Sequence, residues 1–194
     1  MRRAGLAALL ALLPALLLGC AGPPAPDIAR PDQPEAATGT TAREAVLARR
    51  QAIATAHPLA TDAGWRMLRE GGTAVDAAIA AQLVLTLVEP QSSGIGGGAF
   101  LLHWDGRRLD AWDGRETAPA AADERLFLDA HGRPLPFRDA VVGGLSVGTP
   151  GVMRLLEATH RAHGRLPWAR LFEPAIALAE DGFPVSPRLH ALLK

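Results

Sequence analysis

Trp112-Asp113-Gly114-Arg115-Glu116-Thr117-Ala118-Pro119 is the stretch from which the rest of the chain is read, with the glycine run Gly94-Ile95-Gly96-Gly97-Gly98 a short distance upstream. Residues 99–104 and 108–113 read as two strands joined at Asp105-Gly106, a dipeptide that favours tight hairpin turns. The second strand therefore delivers Arg115 at its end. An arginine held there between a glycine and a proline is placed to present its planar guanidinium to an anion, which is either a ligand or a neighbouring carboxylate. The glycine run invites a phosphate-binding reading, but no Gly-Lys-Ser/Thr ending follows and the run enters a strand instead of a helix. Neither the P-loop nor the dinucleotide fingerprint is met. The glycines are expected to permit positive φ angles and the close approach of other backbone.

Working outward, Asp62 or Thr61 caps a predicted helix over 61–70 that Gly71-Gly72 ends. Thr73-Ala74-Val75-Asp76 opens a second helix to about Val88, with a threonine cap and an acid at the third helical position. Only Asp76, Gln82 and Thr86 interrupt its apolar surface, so this helix is expected to be buried nearly all round between layers. At about 1.5 Å per residue it is roughly 22 Å long, too short to cross a bilayer. Thr41-Ala42-Arg43-Glu44 fits a capping box for a short helix over 42–50, residues 52–56 read as a small strand, and His57 beside Pro58 as a turn or capping residue. Beyond Pro119 the chain to Pro136 reads as an irregular surface excursion, and 141–147 as a loop or short strand. Thr149-Pro150 then opens a helix to His163, closed by Gly164. A further helix over 167–181 stops at Gly182, and a last one starts at Ser186-Pro187 and is cut at Lys194.

Composition excludes little. The 194 residues suffice for one domain with a sizeable core, and 48% hydrophobic with 21% charged is ordinary for a globular protein. A formal net charge of +0 offers no nucleic-acid surface. No cofactor and no metal is expected. Cys20 is the single cysteine, so no intrachain disulfide forms and stability must come from packing. Arg2 and Arg3 precede an apolar run from Ala4 to Leu18, the plan of an export signal over 1–19. Leu17-Leu18-Gly19-Cys20 resembles the lipobox of bacterial lipoproteins, in which the cysteine becomes the lipidated first residue; the alternative is an ordinary signal peptide with an incidental cysteine. Residues 20–41, with Pro23, Pro24, Pro26, Pro31 and Pro34, can bury little and read as an extended tether. The expectation is an exported, periplasmic protein attached to the membrane through a lipid anchor only.

Four stretches taken together resemble the large subunit of γ-glutamyltransferases (γ-glutamyltranspeptidases): Glu70-Gly71-Gly72-Thr73-Ala74-Val75-Asp76-Ala77-Ala78, Ser93-Gly94-Ile95-Gly96-Gly97-Gly98, Gly114-Arg115-Glu116-Thr117-Ala118-Pro119 and Gly148-Thr149-Pro150-Gly151. Their order and spacing carry the resemblance over roughly residues 50–190. Thr73 stands where the family often has asparagine, which caps helices equally well, and Ala99 follows three glycines where relatives can have a fourth. The resemblance implies an α+β N-terminal-nucleophile hydrolase, a four-layer αββα sandwich that is incomplete in this chain, made as a precursor that cuts itself into a large and a small subunit. It implies that the new N-terminal threonine of the small subunit attacks the γ-amide of glutathione or a similar compound, with its own α-amine as base. The γ-glutamyl group then passes to water or to an amino acid or peptide. The resemblance gives Arg115 the role of holding the α-carboxylate of that group, because a guanidinium grips a carboxylate through two parallel hydrogen bonds and so fixes the scissile carbonyl. Glu116 is then expected to orient Arg115 or nearby backbone.

Nothing in the chain matches the family's threonine-rich processing motif, so no catalytic residue is expected in it. Thr159-His160, the nearest threonine-histidine pair, lies inside a predicted helix and reads as a capping or helix-face pair. Residues 42–194 are thus read as the N-terminal portion of a large subunit, inactive alone. Its partners would be the missing C-terminal part, the small subunit and a small-molecule γ-glutamyl substrate. Two other readings stand beside this one: a glutaryl or cephalosporin acylase of the same superfamily, since Arg115 suits a glutaryl carboxylate too, and a non-catalytic truncated lipoprotein. A central layer without its partners is expected to leave apolar surface exposed.

Overall fold

His57 and Pro58 start the first helix in the computed structural model, which describes residues 44–193. The export signal over 1–19, the lipobox cysteine Cys20, the tether over 20–41 and the first half of the capping box at Thr41 lie outside the described residues. Helix α1, Pro58–Arg69, begins earlier than expected because the ring Nδ1 of His57 accepts the N–H of Leu59 at 3.2 Å and Pro58 supplies a preset first turn. His57 is a capping residue. Helix α2, Ala74–Val88, opens on the capping box: the Thr73 hydroxyl accepts the Asp76 N–H at 3.2 Å and the Asp76 carboxylate accepts the Thr73 N–H at 2.7 Å. Along its length only Ala74 and Ala78 are exposed.

Strands β1, Ala99–Trp104, and β2, Leu109–Gly114, form an antiparallel hairpin in which His103 faces Asp110 and Ala99 faces Gly114. Asp105 closes its turn by accepting the N–H groups of Arg107 and Arg108, each at 2.7 Å. The chain continues through α3, Phe137–Val141, a 3-10 turn at Gly144–Ser146, and α4, Val152–His163. A second 3-10 turn at Trp168–Leu171 leads to α5, Glu173–Asp181, and α6, Pro187–Leu192, follows with Ser186 as its cap.

Helix α2 is the middle of the packing. One apolar cluster joins its Ile79 and Leu83 to Met67 of α1, to Leu155 and Leu156 of α4, and to Leu171; a second joins Val84 and Val88 to Ala60 and Ala63 of α1. Ile79 and Val84 are fully buried, and side chains of this kind stabilise a fold by about 1.5–3 kcal/mol each. The hairpin turns Leu101 and Trp112 toward this core. Its other face carries Phe100, Leu102, Trp104 and Leu109, which are 57–70% exposed, as expected of a central layer without its partners.

Asp76 does more than cap α2. Its side chain is completely buried, and its carboxylate also accepts the N–H groups of Arg165, at 3.0 Å, and Leu166, at 3.3 Å, 89 and 90 residues away. The His160 ring lies beside it, its Nε2 3.6 Å from Oδ1 and hydrogen-bonded at 2.8 Å to the Leu166 carbonyl. On the surface nearby, Arg170 hydrogen-bonds Glu70 and holds its carboxyl below the ordinary value of 4.5.

Several expectations are corrected. Residues 44–50 form no helix, since Val46 and Leu47 are more than 90% exposed with nothing to pack against, and isolated short helices are marginal. Residues 52–56 form no strand because no neighbouring strand pairs with them. The expected helix over 167–181 breaks at Phe172 into the 3-10 turn and α5. Of the two readings of residues 141–147, the loop holds and the strand does not: a 3-10 turn at Gly144–Ser146 occupies its centre.

Replacing Asp76 by alanine removes the buried acceptor of three main-chain donors and is expected to destabilise the fold by roughly 2–4 kcal/mol. Asp76→Asn, which keeps the shape and one acceptor, should cost less. Urea unfolding followed by tryptophan fluorescence measures both.

Candidate active site

The end of β2 is built backbone against backbone. Gly98 lies one residue before the hairpin's last pair, and a Cβ there would stand 2.5 Å from Glu116 Oε2 and 2.8 Å from the Arg115 Cα. A Cβ on Gly151 would overlap the carbonyl oxygen of Gly114. Only glycine permits either approach. The close approach expected of the glycine run is therefore present, whereas none of the glycines in 94–98 has positive φ.

This junction also supplies the missing cap of α4. The side chain of Thr149 makes no cap, and the helix begins at Val152 with Gly151 in the cap position. The Gly97 carbonyl accepts the N–H groups of Gly151 and Val152, each at 3.1 Å, so the glycine loop satisfies donors that the sequence assigns to Thr149. Thr149 instead pairs with Thr117 through two main-chain bonds of 3.2 and 2.9 Å.

Arg115 and Glu116 are thus clamped at both ends. The Asp113 side chain accepts the Arg115 N–H at 2.8 Å on one side, and the Thr117–Thr149 bridge holds the chain on the other. The guanidinium of Arg115 is two-thirds exposed, and its Nη1 lies 3.0 Å from Glu116 Oε2, an ion pair without an aligned hydrogen bond. Oε2 itself is buried. Both residues line an open cleft of about 510 Å³ with Gly96, Thr117, Phe127 and Leu145. The excursion after Pro119 and the 3-10 turn therefore serve as walls of this cleft. No local pattern marks Phe127 or Leu145 for that role, because each reaches the cleft through tertiary folding. Thr159 and His160 are elsewhere: the Thr159 hydroxyl donates to the Leu155 carbonyl inside α4, and His160 belongs to the Asp76 cluster.

Chemically, the cleft offers an exposed guanidinium fixed by a rigid main chain, backed by a carboxylate and flanked by apolar side chains. It can bind a small carboxylate; it holds no arrangement of nucleophile and base among the described residues.

The mixed helix and hairpin architecture is an α+β N-terminal-nucleophile hydrolase fold, of which this chain holds an incomplete part. Residues 60–194 match the family model described as Gamma-glutamyltranspeptidase, and the chain belongs to that family. It is 45% identical over 135 residues to the glutathione hydrolase proenzyme of Bacillus subtilis (strain 168), a match covering 69% of this chain and 23% of that protein. The Helicobacter pylori gamma-glutamyltranspeptidase structure is similar at a TM-score of 0.73 and 36% identity, over 77% of this chain and 43% of that one. Cephalosporin acylase from Bacillus halodurans is similar at a TM-score of 0.63 and 35% identity, over 77% of this chain and 29% of that one. The chain thus spans about a quarter of the length of the curated relative it matches.

Gly98→Ala drives a methyl group into the Arg115–Glu116 main chain and is expected to destabilise the protein by roughly 1–3 kcal/mol. A thermal unfolding midpoint unchanged from wild type would contradict this account of the junction.

Proposed function

We infer that this chain is the N-terminal portion of the large subunit of a γ-glutamyltransferase/glutathione hydrolase, made as a self-cleaving precursor whose nucleophile, an N-terminal threonine, lies in the missing part. The observation that carries this reading is the Arg115 guanidinium, presented into the cleft by a glycine-built junction with Glu116 as its ionic partner. Arg115 binds the α-carboxylate of the γ-glutamyl group and Glu116 orients Arg115. A planar fork gripping that carboxylate fixes the γ-carbonyl in front of the nucleophile, and the enzyme then transfers the acyl group to water or to an amine. The bare apolar face of the hairpin supports a larger assembly, because the remainder of the precursor would cover Phe100, Leu102, Trp104 and Leu109.

A second reading, an acylase acting on glutaryl-type side chains, is favoured by the structural match to cephalosporin acylase. Its substrate would offer the same terminal carboxylate to Arg115 without the α-amine. In the intact precursor, Arg115→Ala should leave self-cleavage in place and lower kcat/KM for γ-glutamyl-p-nitroanilide by about 30-fold or more, corresponding to the ~2 kcal/mol lower bound for breaking a hydrogen-bonded charge pair. Loss of cleavage with substrate binding retained would show that Arg115 serves the fold. Faster turnover of glutaryl-p-nitroanilide than of the γ-glutamyl compound would select the acylase.

We further propose export and lipid anchoring through Cys20, supported by the basic, apolar and small-residue order of residues 1–20. Cys20→Ala should abolish labelling by a radioactive fatty acid and release the protein from membranes. Continued labelling of the variant would refute the anchor.

A further inference from the structure

At the opposite end of the hairpin from Arg115, about 16 Å along the strands at ~3.3 Å per residue, three metal-ligating side chains meet. His103 of β1 and Asp110 of β2 are a directly paired couple across the hairpin, and His163 comes from the last turn of α4. One donor atom from each lies within 4.8 Å of the others. His163 Nε2 is 3.6 Å from Asp110 Oδ2, and the two imidazoles are stacked with centroids 3.9 Å apart and planes at 21°.

The hydrogen bonding argues that this is more than a packed pair of core histidines. Buried ring nitrogens normally find a partner, yet His103 Nδ1 and His163 Nε2 are both buried without one, and so is the indole nitrogen of Trp112, which meets His163 edge-on at 6.0 Å. The carboxylate of Asp110 is divided between two tasks. Arg108 Nε donates to Oδ1 at 2.6 Å, which fixes the carboxylate plane and leaves Oδ2 directed at His163.

Two neutral imidazoles and one carboxylate oxygen form a donor set suited to zinc, with a water completing four-coordination. The geometry points to a zinc site formed by His103, Asp110 and His163, joining the hairpin to the C-terminal end of α4. Metal–ligand bonds of about 2.0–2.1 Å place tetrahedral donors about 3.4 Å apart. The His163–Asp110 separation of 3.6 Å nearly matches this spacing, and zinc binding requires the His103 donor to close to the same spacing from within 4.8 Å. Residues 103, 110 and 163 show no metal-binding spacing in the sequence, because a cross-strand pair and a distant helix end supply the ligands.

The test is isothermal titration of the EDTA-stripped full-length protein with zinc chloride in a non-chelating buffer, together with the optical spectrum after cobalt(II) addition. Wild type should bind zinc at this site with a rise in thermal midpoint and should give tetrahedral cobalt bands. His163→Ala and Asp110→Ala, which alter different elements, should each weaken zinc binding at least ~10-fold and lose the bands. Equal zinc affinity and stoichiometry in wild type and both variants, or no saturable binding to wild type, overturns the site. Neither readout depends on turnover of any substrate.

Discussion

A buried carboxylate holds this architecture together. Asp76 is sealed from solvent, and its charge is tolerable because main-chain donors from the start of its own helix and from the distant segment Arg165-Leu166 converge on it, together with the Thr73 hydroxyl. These bonds fix the start of α2 against the loop that follows α4. Because α2 is the rod on which α1, α4 and α5 all pack, setting its position relative to α4 sets the depth at which the hairpin meets the helices. Arg115 stands at the end of that hairpin. The position of a surface guanidinium is therefore traceable, through rigid elements, to an internal anion about forty residues earlier in the chain.

The second constraint is the absence of side chains where β2 hands over to the cleft. At Gly98 and Gly151 the neighbouring backbones come closer than any Cβ would allow, and the space saved lets the Gly97 carbonyl reach the first N–H groups of α4. A helix end that would otherwise need a polar cap is satisfied by the glycine loop itself. The same contact presses Gly98 against Glu116, so the carboxylate has little room to turn away from Arg115. Helix initiation and placement of the guanidinium are one packing event, and this accounts physically for a run of small residues that meets neither phosphate-binding pattern.

The hairpin has two faces with different duties. The inner one carries Leu101 and Trp112 into the core and gathers His103, Asp110 and His163 at its far end. The outer one is apolar and bare among the described residues, a surface more suited to a neighbouring layer than to water. An arginine at one end and a histidine–aspartate cluster at the other share the same short strands, separated only by the pitch of the β-structure.

Local chemistry sufficed for much of this. Thr73 and Asp76 announce a helix start, Gly71-Gly72 and Gly182 announce helix ends, Asp105-Gly106 announces a turn, and the apolar run from Ala77 to Val88 announces a buried rod, because each depends on atoms within a few residues. Arg115 was legible as an anion-binding candidate for the same reason. Residues 44–50 and Thr149 misled, since a capping pattern creates a helix only where something packs on it, and a better acceptor, the Gly97 carbonyl, came from elsewhere. What only tertiary structure decided are the contacts between segments dozens of residues apart: Asp76 with Arg165 and Leu166, Phe127 and Leu145 with the cleft, His163 with His103 and Asp110. Sequence alone determined which backbone turns and caps were affordable at each point, whereas the folded chain chose among donors and acceptors by bringing remote ones within reach.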